Sequence, residues 1–352
     1  MTRRNWIEIS GKVRQEAQKG VYSASYDLHD VMQSKGISKK ELNEFQKKTG
    51  LETIYWRTYW RRGDLIKMGG RDRMPRRADC MVVFMHGWDG CGEIFENLPA
   101  RVCESEAKVL VLVPDVNGFY RSRFLEPKNL RYAQCNPQAN MRAVEEWLHI
   151  IGVLGGRRHM PIVFVGHSMS GAALFYLNKK KWKNHRFGRL ALAPALLMND
   201  SLRKGFYNAL GLGIWAGNAL SLNRVSDSVS PLVVNQLIAG ASKAVQNAHE
   251  TVFKRTAKST LANTFAAMGQ ANAPAQPSKW ADFKVLLGHT DRLVGLTSML
   301  DLLVQLGFTS RQVSVLLGDH YFFSVGHHSR SLHRESREVT FEKICKMVRT
   351  CR

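Results

Sequence analysis

Between residues 81 and 193 the chain repeats one pattern: a short run of consecutive apolar residues, then a stretch with helical spacing. The runs are Met81-Val82-Val83-Phe84-Met85, Val109-Leu110-Val111-Leu112-Val113, Ile162-Val163-Phe164-Val165 and Leu190-Ala191-Leu192-Ala193. Each is too short for a core helix and too uniformly apolar to keep one face in water. Such runs are strands buried on both faces, and that demands a mostly parallel sheet covered by helices on both sides. The helices lie between them, at 94–102, at 140–151 and at 172–179. In the second, Met141, Val144, Trp147, Leu148 and Ile151 share one face.

The alternation stops near Asn199, and almost no strand signal follows as far as Ser278. Within that stretch Pro231 can open a helix with Val234, Leu237, Ile238, Ala241, Val245 and Ala248 on one face. Strand runs return at 283–287 and 313–317. The pattern predicts a sheet domain, 53–198 and 279–352, interrupted by a helical block, 199–278. Inserted there, the block sits over the strand ends, where α/β sheets bind ligands.

Residues 1–52 read as an N-terminal helical extension. Leu28, Val31 and Met32 recur at helical spacing, and Gly36 can stop that helix. Ser38 with Glu41 three positions on is a capping box for a second helix, faced by Leu42 and Phe45 and ended by Gly50. Two short helices also suit a DNA-binding helix-turn-helix, but so short a pattern equally describes a helical pair docked on the main domain. From 53 to 68 the period changes to two: Ile54, Trp56, Thr58 and Trp60 alternate with Tyr55, Arg57, Tyr59 and Arg61. Gly63-Asp64 can turn and Leu65-Ile66-Lys67-Met68 can return, which predicts a β-hairpin.

Charge and cysteines bound the functional classes. The formal net charge is +22 in 352 residues. It favours anionic partners, whether an acidic substrate or a membrane surface, although the basic residues are spread and suit a solvated surface as well. Lys179, Lys180, Lys181 and Lys183 are one local group. The six cysteines form no close C-x-x-C pair, so neither a disulfide framework nor a zinc site is expected. With no secretory signal pattern at the N-terminus and no apolar run of spanning length, the expectation is a cytoplasmic protein, with peripheral membrane contact left open.

Gly166-His167-Ser168-Met169-Ser170-Gly171 lies directly between a strand and a helix. That setting gives a tight turn that exposes the Ser168 hydroxyl above the sheet, provided the residues two positions either side are small. Gly166 and Ser170 are, although G-x-S-x-G carries glycine where Ser170 stands. A serine hydroxyl attacks only when a base takes its proton. His320 follows the last strand and is the first choice, ahead of His327 and His328. Its orienting carboxylate should leave the preceding strand end, where Asp291 stands. Asp200 is the fallback, Asp282 lies at the wrong end of its strand, and Asp319 reads as a loop group. Oxyanion donors are expected from the backbone N–H of Met169 and, in the loop His86-Gly87-Trp88-Asp89-Gly90, from that of Trp88. Trp88 can also be a packing aromatic.

With these elements in order, the chain resembles the α/β-hydrolase superfamily from about residue 53 to its end. The order Ser168, Asp291, His320 is that family's order. Pro114-Asp115-Val116-Asn117-Gly118-Phe119-Tyr120-Arg121-Ser122 resembles its structural loop after the fourth strand. The helical block resembles its cap domain. The resemblance implies acyl transfer through an acyl-enzyme on Ser168 with no metal or organic cofactor, an esterase or lipase-like activity on a small-molecule ester. A serine at the elbow sets the chain apart from relatives that use aspartate there, such as epoxide hydrolases, or cysteine. A thioesterase or acyltransferase using an anionic carrier is the nearest rival. A non-catalytic or nucleic-acid-binding protein on the same fold is the rival of another class, and nucleic acid is not the expected partner.

Overall fold

The computed structural model describes residues 15–18, 20–34, 36–61, 67–68, 71–72, 78–153, 160–219, 238, 240–271, 274, 281–325 and 332–352. Its strands are β1 (Gln15–Gln18), β2 (Val21–Asp27), β3 (Tyr55–Arg61), β4 (Lys67–Met68), β5 (Arg71–Asp72), β6 (Cys80–Met85), β7 (Val109–Pro114), β8 (Ile162–His167), β9 (Phe187–Leu192), β10 (Phe283–Gly288) and β11 (Val313–Leu316). A 9-stranded sheet runs in the order β1-β2-β3-β7-β6-β8-β9-β10-β11. From β7 to β11 every neighbouring pair is parallel, and β1, β2 and β3 join antiparallel. The expected doubly wound α/β sheet is therefore present. Every residue of β6, β7 and β8 is buried, as their unbroken apolar runs require.

Register sets the site. Met85 pairs with Gly166 and His167 with Leu192, so the loops after β6 and β8 leave the sheet side by side. Gly288 pairs with Leu316, so the loops after β10 and β11 do the same. The sequence-predicted catalytic groups all leave from this one edge.

The N-terminal region departs from its helical reading. Its two helices form, Leu28–Gln33 and Lys39–Thr49, and Ser38 and Glu41 make the predicted capping box. Ahead of them, however, β1 and β2 extend the main sheet, with β2 paired along its whole length to β3. Small Ser23, Ala24 and Ser25 dilute the alternation of Val21, Tyr22 and Tyr26, which hides the strand. The second helix docks on the helix Pro137–Ile150, where Lys48 meets Glu146 at 3.0 Å.

The predicted hairpin also resolves differently. β3 forms at the expected residues, but β2 and β7 occupy both its edges, leaving none for a return strand. Lys67–Met68 instead pairs with Arg71–Asp72 in a separate two-stranded sheet. The turn at Gly63-Asp64, with Leu65 and Ile66, lies outside the described residues.

The helix expected at 94–102 is split into a short 3-10 turn, Gly92–Phe95, and the helix Leu98–Ser105. Glu96, at φ 51°, interrupts it. The helix after Ser168 is shorter than expected, Met169–Ala173 with a 3-10 turn to Tyr176.

Between β9 and β10 the described residues hold three helices, Ser201–Ala219, Lys243–Arg255 and Lys258–Gly269, and no strand. Ser201–Ala219 packs closely on Lys258–Gly269 because Gly211 has no side chain: a Cβ there would lie 2.9 Å from the Ala262 carbonyl oxygen. Of the helix predicted from Pro231, Val245 and Ala248 lie in the described helix Lys243–Arg255, capped where the Ser242 hydroxyl accepts from the Val245 N–H at 3.2 Å. Pro231, Val234 and Leu237 lie outside the described residues. Among the described residues no helix is long and apolar enough to cross a membrane.

Candidate active site

β8 ends at His167 and the next helix starts at Met169, so Ser168 alone makes the turn. Its φ of 52° and ψ of −114° are a strained conformation for a residue with a side chain. The turn closes so tightly that a Cβ at Gly166 would lie 2.5 Å from the Ser170 carbonyl oxygen. Ser170 has its own task there. Its hydroxyl donates to the His86 carbonyl oxygen at 2.5 Å and accepts from Asn140 Nδ2 at 3.0 Å. The departure from G-x-S-x-G thus ties the elbow to the neighbouring loop.

That loop approaches Ser168 closely, because a Cβ at Gly87 would lie 2.8 Å from Ser168 Cβ. His86 fixes its peptide plane. The Val116 N–H donates to His86 Nε2 at 2.8 Å, so the ring proton is on Nδ1, which donates to the Gly87 carbonyl oxygen at 2.8 Å. Complete burial holds the imidazole neutral, pushing its pKa down to about 3. A trans peptide directs its N–H opposite its carbonyl, so this bond also sets the direction of the Trp88 N–H. The Trp88 indole, meanwhile, donates to the Leu261 carbonyl oxygen at 2.9 Å and meets the Phe265 ring at 4.4 Å, fastening the loop to the helix Lys258–Gly269. Met169 opens its helix, so its N–H has no intrahelical acceptor.

His320 and Asp291 meet as expected from their strand ends. His320 Nδ1 donates to Asp291 Oδ2 at 2.7 Å, and both side chains are buried. The other carboxylate oxygen accepts from the N–H groups of Leu293, at 2.9 Å, and Val294, at 3.2 Å. Asp291 is thereby fixed from both sides, and the second ring nitrogen of His320 stays available. The His320 residue is itself held from beneath. His167 Nε2 donates to its carbonyl oxygen at 3.1 Å, and burial keeps that second imidazole neutral, its pKa well below the usual range.

The remaining candidates go elsewhere. Asp200 accepts from the Arg203 N–H and from Ser298, and Asp282 pairs with Arg189 at 2.7 Å. Asp319 accepts from the Tyr321 N–H within its own loop. Asp115 receives Arg121 Nε at 2.7 Å and the Gly92 N–H at 3.2 Å, a structural loop anchor. His327 and His328 lie outside the described residues.

Ser168 and His320 line one cavity with Trp88, Asp89, His249 and Tyr321, closed by Tyr207, Ile238, Phe265, Met268 and Leu293. The cavity volume is about 40 Å³. The pocket is narrow. Much of its wall comes from the helices between β9 and β10. Asp89, His249 and Tyr321 were not singled out from sequence. His249 Nε2 shares a hydrogen bond with the Tyr321 hydroxyl at 2.7 Å, and its Nδ1 lies 3.7 Å from Asp89 Oδ2. Asp89 carried a faint signal, as the polar residue directly after Trp88. His249 carried none, since only tertiary packing brings its helix over the elbow. Among the described residues no group of three or more His, Cys, Asp or Glu could hold a metal ion.

No family model matches the sequence, and no curated protein matches it. Solved structures do match in shape. A thermophilic esterase from Thermogutta terrifontis superposes with TM-score 0.53 at 13% identity, over 85% of this chain and 95% of its own. A structure from work on carboxylesterases of Nitrososphaera gargenis gives 0.54 at 12%, over 85% and 96%. Epoxide hydrolase I of potato gives 0.56 at 11%, over 86% and 97%. At such identities the likeness is one of fold: this chain has the α/β-hydrolase fold. Esterases and epoxide hydrolases share it, so the chemistry has to be argued from the site.

Proposed function

We propose that this protein is a serine hydrolase that cleaves carboxylic esters. The observation that carries the reading is the 2.7 Å bond from His320 Nδ1 to buried Asp291, on the wall of the cavity that also holds Ser168 at its strained turn. Ser168 Oγ attacks the ester carbonyl carbon while His320 Nε2 takes the hydroxyl proton, and Asp291 holds the tautomer and stabilises the imidazolium. The backbone N–H groups of Met169 and Trp88 receive the developing oxyanion. Collapse expels the alcohol, which leaves with the proton from His320. Water then attacks the acyl-enzyme, giving its proton to the same nitrogen, and the acid departs as Ser168 regains its own. The reaction calls for no metal or organic cofactor.

A serine at the elbow separates this reading from the epoxide hydrolases of the same fold. The narrow pocket, with Ile238, Phe265, Met268 and Leu293 on its wall, supports small or medium acyl groups. The basic surface supports one second reading, a thioesterase or acyltransferase taking an anionic carrier. An ester and thioester panel on wild type and Ser168→Ala tests both. Ester turnover lost in Ser168→Ala supports the assignment, and turnover unchanged in that variant contradicts it. A preference for acyl-CoA that fades with salt favours the second reading.

A further inference from the structure

Asp89 is the carboxylate on the pocket wall that the proposed chemistry leaves unused. It is fully buried, and neither carboxylate oxygen has a hydrogen-bond partner among the described residues. His249 Nδ1 stands 3.7 Å away, close enough to attract the carboxylate's charge but too far for a direct hydrogen bond. The His249 ring is held by Tyr321 on its far side. Lys258, on the following helix, attracts Asp89 through space, but its ammonium donates to the Phe253 carbonyl oxygen at 2.7 Å. A buried carboxylate with no donor at direct hydrogen-bond distance is costly, and a ligand that brings N–H groups and positive charge relieves the cost. A hydroxyl would bring one donor and no charge.

The walls around Asp89 select for the same chemistry. Trp88, Tyr207, Phe265 and Tyr321 present aromatic surface to the cavity. Aromatic faces attract cations, most strongly where water is excluded. Asp89 also follows directly on Trp88, whose N–H faces the reacting carbonyl in the proposed mechanism. A group bound at Asp89 therefore lies within a few bonds of the scissile ester.

We infer that Asp89 anchors an ammonium group carried by the substrate close to its ester bond, with the aromatic walls enclosing it. This rests on the esterase reading and narrows it to amino-bearing esters.

Two acetates test the idea: dimethylaminoethyl acetate, protonated at neutral pH, and isoamyl acetate, its neutral isostere. Wild type should favour the first in kcat/KM by about tenfold or more, the scale of one charge-assisted hydrogen bond. In Asp89→Asn, which keeps the shape, the ratio should fall to near one, whatever the absolute rates. A wild-type ratio near one, or a ratio unchanged in Asp89→Asn, overturns the proposal. Calorimetry on Ser168→Ala with the same two esters reads the subsite without catalysis. If wild type cleaves neither ester, the nucleophile assignment is at fault, and the calorimetric preference still decides the role of Asp89. If Asp89→Asn does not fold, inhibition of wild type by dimethylaminoethanol against isoamyl alcohol decides it instead: stronger inhibition by the amine supports the anchor, and equal inhibition overturns it.

Discussion

His167 lies beneath His320, ring centroid to ring centroid 4.6 Å, and donates from Nε2 to the His320 carbonyl oxygen at 3.1 Å. The residue just before Ser168 therefore fastens the loop that carries His320, so the proposed nucleophile and the proposed base are positioned by one unit.

His167→Phe keeps an aromatic of similar shape but leaves the His320 carbonyl oxygen without its donor. An unpaired buried acceptor costs about 1–3 kcal/mol. Expected are a lower Tm and a kcat reduced about tenfold, with KM moved less, because positioning of the base matters most in the transition state. Steady-state kinetics and thermal melts check this. A kcat as high as wild type contradicts the positioning role.

Ser170→Gly restores the glycine of the general motif, yet should not improve the enzyme. It removes the bonds to the His86 carbonyl oxygen and to Asn140. Loss of roughly 1–3 kcal/mol is expected in denaturant unfolding, with weaker turnover from a looser oxyanion loop. A variant more stable than wild type contradicts the reading.

Burial pushes the pKa of Asp89 up to about 6 from 3.8. A carboxyl raised on folding favours the folded state below its unfolded pKa, and that contribution is lost as pH rises through the folded value. The loss amounts to roughly 3 kcal/mol between about pH 4 and pH 7. Asp89→Asn does not titrate, so its stability relative to wild type should rise across that window. Melts of both proteins at several pH values check the slope. His86, depressed by burial, works in the opposite sense in both proteins and cancels in the difference. A flat difference contradicts the buried state of Asp89.

The net charge of +22 opposes long-range approach of a cationic ester. Physiological salt cuts the range of that repulsion to about 8 Å while the buried carboxylate is little screened. The kcat/KM of dimethylaminoethyl acetate should therefore rise severalfold between low and physiological salt. That of an acyl-CoA, if it is cleaved at all, should fall. The reverse order contradicts the ammonium subsite and favours an anionic carrier.

Sequence carried the central sheet because β6, β7 and β8 are buried on both faces and their apolar runs are unbroken. The positions of Ser168, Asp291 and His320 on one edge of the sheet were legible because each stands just past a strand whose position was readable. β2 was hidden, since Ser23, Ala24 and Ser25 give little hydrophobic signal and its pairing with β3 is visible only in three dimensions. The partner of β3 was misread for the related reason that local alternation does not tell which strands will take its edges. Asp89 and His249 are far apart in the chain and approach each other only because the helix Lys243–Arg255 packs over the loop after β6. The hydroxyl of Ser170 looked like a defect in a motif until its two partners came into view.

The nucleophile can be located directly. A fluorophosphonate probe incubated with folded protein, followed by peptide mass spectrometry, reports which hydroxyl reacts. The account predicts one adduct, on Ser168, absent in Ser168→Ala and greatly slowed in His320→Ala. No adduct on the folded wild type, or one on another residue that persists in Ser168→Ala, contradicts it.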